Sequence, residues 1–268
     1  MGRRFVDAHC HFDFSVFDGK RAEVLEQCRE QGLTHLVMPG VSPGNWERLR
    51  HLCDHFPSLW FAPGIHPWWV EQVRDEALEE LERFLQEGHP RLVGIGECGL
   101  DRLHGELARQ YPWFEGQIAL AEHYGLPLLI HSVRTHDEVA QLLRRRGYSG
   151  RALIHGFSGS LQQAERFVSR GFRIGVGGVI TYARANKTRN AISALPLEAL
   201  VLETDAPDMP PQGIAKGRNS PLNLSINFAA LCELRSEQPD EIAAALWRSS
   251  CELYWPGMET APDQGLAG

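Results

Sequence analysis

The chain opens on Arg4-Phe5-Val6-Asp7-Ala8-His9-Cys10-His11, an apolar run that reads as a strand over residues 4–9 and finishes in a His-x-His pair. Side chains alternate along a strand, so His9 and His11 face one way while Cys10 faces the covering helices. Similar runs recur at residues 35–40, 60–65, 92–97, 127–131, 152–155, 172–176 and 200–204. Segments with helical spacing of apolar residues lie between them, among them Leu78-Leu81-Phe84-Leu85 and Val139-Leu142-Leu143. Five such segments stop at a glycine (Gly32, Gly88, Gly125, Gly147, Gly171), a common terminator of helices. Eight short strands alternating with helices predict an α/β fold with a parallel sheet. The count of eight favours closure into a (β/α)8 TIM-like barrel over an open doubly wound sheet. We expect one domain over residues 1–255 and a loose C-terminal tail over 256–268, which is short of apolar residues.

Composition agrees with a large core. The 268 residues are 43% hydrophobic and include seven Trp and twelve Phe, which excludes disordered and fibrous classes. Lys and Arg number 27 against 34 Asp and Glu, a formal net charge of −7. That balance argues against a broad basic face wrapped by duplex and leaves room for a small site gripping a strand end. The six cysteines form no CxxC pair and read as reduced, mostly buried thiols. No signal-like or membrane-spanning apolar run is present, so a cytoplasmic protein with no membrane partner is expected.

Histidines and carboxylates punctuate the predicted strand ends: His9, His11, Glu97, His131, His155 and Asp205. In a barrel these ends open onto one face, where active sites are built. Alternation turns Glu97 inward beside Ile95, His131 beside Leu129 and Asp205 beside Glu203. A lone strand-end histidine is ordinarily a hydrogen-bonded core residue. Four imidazoles and two carboxylates on one face are different, because without a cation they form a costly buried polar cluster. Six donors exceed the four of a structural zinc, so a pair of divalent ions about 3.5–4 Å apart fits better. Imidazole donors favour Zn2+, Mn2+ or Fe2+, while Mg2+ prefers oxygen.

Several ordered motifs carry a family resemblance: Asp7-Ala8-His9-Cys10-His11, Gly64-Ile65-His66-Pro67, Gly96-Glu97-Cys98-Gly99-Leu100-Asp101, His131-Ser132-Val133-Arg134, His155-Gly156-Phe157-Ser158-Gly159 and Glu203-Thr204-Asp205-Ala206-Pro207. Together they resemble the TatD-related metal-dependent deoxyribonucleases of the amidohydrolase superfamily. The resemblance runs from Phe5 to about Pro221. It implies a TIM-like barrel, two divalent metal ions (Zn2+, Mn2+ or Mg2+), and hydrolysis of DNA phosphodiesters, with single-stranded DNA digested from the 3′ end. It also implies that His9, His11, Glu97 and Asp205 hold one ion, and that Glu97 bridges to a second held by His131 and His155. The sequence departs from the family at Trp68, where many relatives carry another histidine, and at Asp208-Met209.

On that reading the catalytic residues are Asp205, as metal ligand and general base, Glu97, His66 and Arg134. His66 and Arg134 would hold phosphate oxygens, and Arg218 and Asn219 would contact substrate. Asp7 and Asp101 would orient imidazoles, Glu203 would be buried and hydrogen-bonded, and His136 would lie on a helix surface. Gly175-Val176-Gly177-Gly178 would serve close packing rather than nucleotide binding. Trp68 and Trp69 stand at the cleft mouth, either stacking on a base or packing the rim. DNA is the expected partner, with no obligate protein partner and a monomeric chain. Two alternatives remain at this stage. One is another hydrolase on the same scaffold, such as an amidase, lactonase or D-aminoacyl-tRNA deacylase. The other is a non-catalytic barrel used for binding. Where many zinc-pair relatives use a carbamylated lysine as bridge, this chain has Glu97, which leans toward the nuclease.

Overall fold

The computed structural model describes residues 2–258 and 261–262. Among them eight strands run in chain order: β1 (Phe5–Asp7), β2 (Leu33–Pro39), β3 (Leu59–Ala62), β4 (Ile95–Asp101), β5 (Leu128–Val133), β6 (Ala152–Ile154), β7 (Arg173–Val176) and β8 (Leu200–Leu202). Each is followed by an α-helix: α1 (Arg21–Glu30), α2 (Pro43–His55), α3 (Ala77–Glu87), α4 (Leu107–Tyr124), α5 (His136–Arg146), α6 (Leu161–Val168), α7 (Asn186–Ala194) and α8 (Leu224–Leu234). A ninth helix, α9 (Pro239–Tyr254), closes the order. Helix ends follow local chemistry. Ser160 and Gln163 form a reciprocal capping box at the start of α6, and Gly125 and Gly147 take left-handed conformations (φ 65° and 68°) just past α4 and α5.

All strand pairs are parallel and sequential, giving the (β/α)8 TIM-like barrel expected from the strand count. The ladders form two sheets, β1-β2-β3 and β4 through β8. Individual backbone hydrogen bonds stitch the seams: Val93 N to Phe61 O (2.9 Å) and Gly96 N to Pro63 O (3.0 Å) on one side, Ala8 N to Leu202 O (2.9 Å) on the other.

Two apolar layers hold this arrangement. The outer one lies between strands and helices and includes Cys10, Met38, Ile95, Cys98, Ile130, Phe114 and Phe167. The inner one gathers Val6, Val37, Trp60, Leu129, Leu153 and Val201 against Leu253, Tyr254 and Trp255 from the end of α9. The hydroxyl of Tyr254 donates to the carbonyl of Ala8 at 2.6 Å. Cys10 thus faces the helices and Leu129 the interior, as alternation requires. Ile95 does not share the inward face with Glu97. It belongs to the outer layer, because the β4–β5 register shifts between Gly96 and Cys98 and reverses the parity beyond it. The tail departs from expectation only in part: residues 256–258 are exposed, whereas 261 and 262 are not. Ala261 is buried in the inner layer, and Pro262 O accepts from the His35 ring at 2.9 Å; residues 263–268 lie outside the described residues.

Five of the six cysteines are buried and all six are free thiols. No helix among the described residues is long and apolar enough to cross a membrane.

Candidate metal centre

Strand ends bring the six residues together. His9, His11, His155 and Asp205 sit just beyond β1, β6 and β8, while Glu97 and His131 lie within β4 and β5. Glu97 is the hub. Its Oε2 lies 3.2 Å from both His9 Nε2 and His11 Nε2. Its Oε1 lies 2.7 Å from His131 Nδ1 and from His155 Nε2, and 3.1 Å from His66 Nε2. Asp205 Oδ1 completes the Oε2 side, 3.4 Å from His9 Nε2 and 3.6 Å from His11 Nε2. Asp205 itself, and Arg134 beyond β5, hold left-handed backbone conformations (φ 54° and 53°) that β-carbon-bearing residues rarely adopt. Such strain concentrates at functional sites.

These donors fit a cation. Two groups bound to one ion at about 2.1 Å lie about 3.0–3.4 Å apart, close to the spacings around Glu97. Three close groupings of donor atoms meet here: His9-Glu97-His155, His9-His11-Asp205 and His66-Glu97-His131. His9 Nε2, which faces Glu97 Oε2 and Asp205 Oδ1, is buried without a hydrogen-bond partner. Orphaned buried nitrogens are expensive unless something else occupies their lone pairs.

The electrostatics agree. Burial would raise the Glu97 carboxyl, but His155, His66, His9 and a His11 hydrogen bond hold it well below the usual range. Burial lowers His11, yet Glu97 and Asp205 lift it to about 9. His131 is likewise lifted to about 9 against burial by Asp101 and Glu97. The pocket therefore draws positive charge inward. Burial dominates elsewhere, pushing His9 well down and Asp205 upward.

Hydrogen bonds fix which nitrogen carries each proton. His66 Nδ1 accepts from the Trp68 amide at 3.1 Å, which leaves the proton on Nε2 and makes that atom a donor toward the centre. Burial lowers this ring to about 4, so it stays neutral. In His131, Nε2 faces Asp101 Oδ2 at 3.0 Å and Nδ1 faces Glu97 Oε1 at 2.7 Å, so the ring donates to a carboxylate from both sides, and a cation at the centre would take the place of the Nδ1 proton. Asp101 thus orients an imidazole as expected, and it also accepts from the Trp68 indole at 2.6 Å, a link with no sequence signal.

Asp7 does not orient an imidazole. Its two oxygens accept from the Thr204 amide (2.9 Å) and hydroxyl (2.5 Å), clamping β1 to the end of β8. Glu203 is buried, accepts from Gly156 N at 2.6 Å, and fills the space that a Cβ on Gly175 would need. His136 is buried at the start of α5, edge-on to Phe157, rather than on the surface. The helix begins at the barrel mouth and turns this first residue under the loop after β6. Arg134 is exposed, and the two acids at the start of α5 pair elsewhere, Asp137 with Arg166 and Glu138 with Arg102. Asn219 is buried with its amide fully engaged, donating to Thr204 O (2.8 Å) and Asp208 O (2.6 Å) and accepting from Ser220 N and Asn223 Nδ2. No hydrogen-bonding capacity remains on it for substrate, whereas Arg218 is exposed beside it.

Comparison with known proteins places this geometry in a family. The family described as TatD related DNase matches residues 6–255. The chain belongs to that family. It is a metal-dependent hydrolase of the TatD type, similar to the "uncharacterized metal-dependent hydrolase YjjV" of Escherichia coli at 44% identity, over 94% of this chain and 98% of that one. The crystal structure of the E. coli YjjV protein, a TatD homologue, superposes with a TM-score of 0.91 at 44% identity, covering 95% of this chain and 99% of the other. A Klebsiella pneumoniae TatD protein named as a 3′-5′ ssDNA/RNA exonuclease is 30% identical over 86% of this chain and 90% of its own.

Proposed function

We propose that this TatD-family hydrolase is a deoxyribonuclease that removes nucleotides from the 3′ end of single-stranded DNA, using two divalent cations. One observation carries the reading: the Glu97 carboxylate turns one oxygen to His9 and His11 and the other to His131 and His155, as a bridge between two ions would. His9, His11, Asp205 and Glu97 would hold one cation, and Glu97, His131 and His155 the other. Cations bound there supply the charge that offsets a phosphodiester and the acidity that lets water attack at neutral pH.

The chain's own groups perform the remaining tasks. Asp205 accepts the proton of the attacking water, a role worth about 10²–10⁴-fold in rate. His66 donates its Nε2 proton to a non-bridging phosphate oxygen. Arg134, exposed at the mouth and free of ion pairs among the described residues, clamps the same phosphate with its planar fork. Naming of a 30% identical relative as a 3′-5′ exonuclease supports the polarity.

The test is product analysis on 3′-labelled and 5′-labelled oligonucleotides with Mn2+, Mg2+ or Zn2+, beside metal analysis of the purified protein. Stepwise release of 5′-mononucleotides from the 3′ end is expected, abolished in Glu97→Ala. Bound metal with intact DNA and a cleaved amide, lactone or aminoacyl ester would overturn the nuclease reading in favour of another hydrolase.

A further inference from the structure

The formal charge of −7 is not spread evenly along the chain. Residues 134–189 carry eleven Lys and Arg against three Asp and Glu, while the rest of the chain carries 16 against 31. That stretch begins at Arg134 and forms one sector of the barrel, in which α5 packs on α6 and α6 on α7. The balance of the whole composition, which spoke against a broad basic face, therefore conceals a basic flank on an acidic molecule.

Some of these cations are spent inside the fold. Arg145 pairs with Glu115, Arg173 pairs with Glu252, and Arg151 and Arg189 donate to main-chain carbonyls. Arg144, Arg146, Arg184 and Lys187 are exposed and make no ion pair among the described residues. Helix ends account for only part of this set. Arg144 and Arg146 close the last turn of α5, where a cation suits the helix dipole. Lys187 lies in the first turn of α7, which has no acidic residue, so its charge opposes the dipole there. Burial and then the Lys187 charge lower the His136 imidazole, which puts that cation beside the start of α5.

The flank adjoins the metal centre. α5 and α7 follow β5 and β7, so both begin at the mouth where the imidazoles gather. Between α5 and α6 runs a groove of 580 Å³ whose head is Asp137, three residues beyond Arg134. Arg166 pairs with Asp137 there at 2.5 Å, and Arg144 and Arg170 line the groove further down. The helix rises about 10 Å from Asp137 to Arg144.

This chemistry suits one kind of partner. A membrane-binding face sets basic side chains beside apolar ones that enter the lipid. Every large apolar side chain exposed among the described residues, Trp68, Trp69, Leu103 and Met209 included, lies outside residues 134–189. Hydrated cations spaced along a groove, with nothing apolar between them, match a flexible polyanion whose phosphates release counterions on binding.

We propose that the α5–α7 flank is a docking surface for single-stranded nucleic acid, holding phosphates of the strand that leads away from the terminus at the metal centre. Its place in the reaction rests on the nuclease reading, but its affinity is measured without turnover. A very short strand fills the centre alone, whereas a longer one also reaches Lys187, Arg184 and Arg144.

Fluorescence anisotropy of 5′-labelled phosphorothioate trimers and dodecamers on the full chain tests this. The dodecamer should bind at least about tenfold tighter at low salt. Reversing three charges together, Arg144→Glu with Arg184→Glu and Lys187→Glu, should remove most of that gain. It should also make the plot of log affinity against log salt shallower by about 2. The urea midpoint and hydrolysis of bis(4-nitrophenyl) phosphate should stay at wild-type values. Arg74→Glu with Arg83→Glu and Arg109→Glu, the same change of net charge around α3 and the start of α4, should bind the dodecamer as wild type does. Equal affinity for trimer and dodecamer, or equal losses in the two triple variants, overturns the surface. So does flank-dependent binding to phosphatidylserine vesicles with none to the dodecamer. Flank-dependent binding in a protein that cleaves no phosphodiester supports the surface and overturns the nuclease reading; cleavage with length-independent affinity does the reverse.

Discussion

Asp101 and His131 meet through a 3.0 Å contact between Oδ2 and Nε2, on the side of the imidazole away from Glu97. The carboxylate is pulled down to about 2, against burial, by His131 and the Trp68 indole, so it is ionised and always ready to accept. A histidine whose far nitrogen is held this way presents a fixed, more basic lone pair to a cation.

Replacing Asp101 by alanine should therefore lower divalent-metal affinity about 10–100-fold, read by competition with a chromophoric chelator. The ring would lose its orienting bond and Trp68 its indole acceptor. Affinity within twofold of wild type would show that His131 is aligned by packing alone.

His136 should make stability depend on pH below neutrality. Burial pushes its imidazole down to about 4, whereas in the unfolded chain it titrates near 6.5. Between those values the unfolded state binds the extra proton, so stability is full above about pH 6.5 and falls as the pH drops toward 4. The loss is on the order of 2–3 kcal/mol. Denaturant titrations of wild type and His136→Phe at pH 7.5 and 5.0 check this, since the variant should lose less stability on acidification.

Asn219→Ala should reveal a bracing residue. Its amide ties the end of β8 to the loop after it through Thr204 O and Asp208 O, and both carbonyls would lose a donor. A stability loss of about 2–3 kcal/mol is expected in urea unfolding, with a change in KM for oligonucleotides below about threefold. A large KM change at wild-type stability would restore the substrate contact expected from sequence.

Much of this was legible from periodicity and strand-end chemistry. Alternation placed Cys10 against the helices and His9 with His11, because β1 leads regularly into the mouth. The same rule failed at Ile95, since a register shift is a property of two paired strands and leaves no mark in one of them. His136 was misread because its burial depends on Phe157, which arrives from the next loop. The Trp68–Asp101 link shares that origin. It joins residues 33 apart in the chain, and composition says nothing about it.

The last turn of α9 is the floor of the barrel, and Tyr254 grips the carbonyl of Ala8, the residue immediately before His9. The end of α9 is thus a keystone for the segment that follows β1. A change in that turn would alter the posture of the first two histidines from beneath, so engineering it would reach the candidate metal centre.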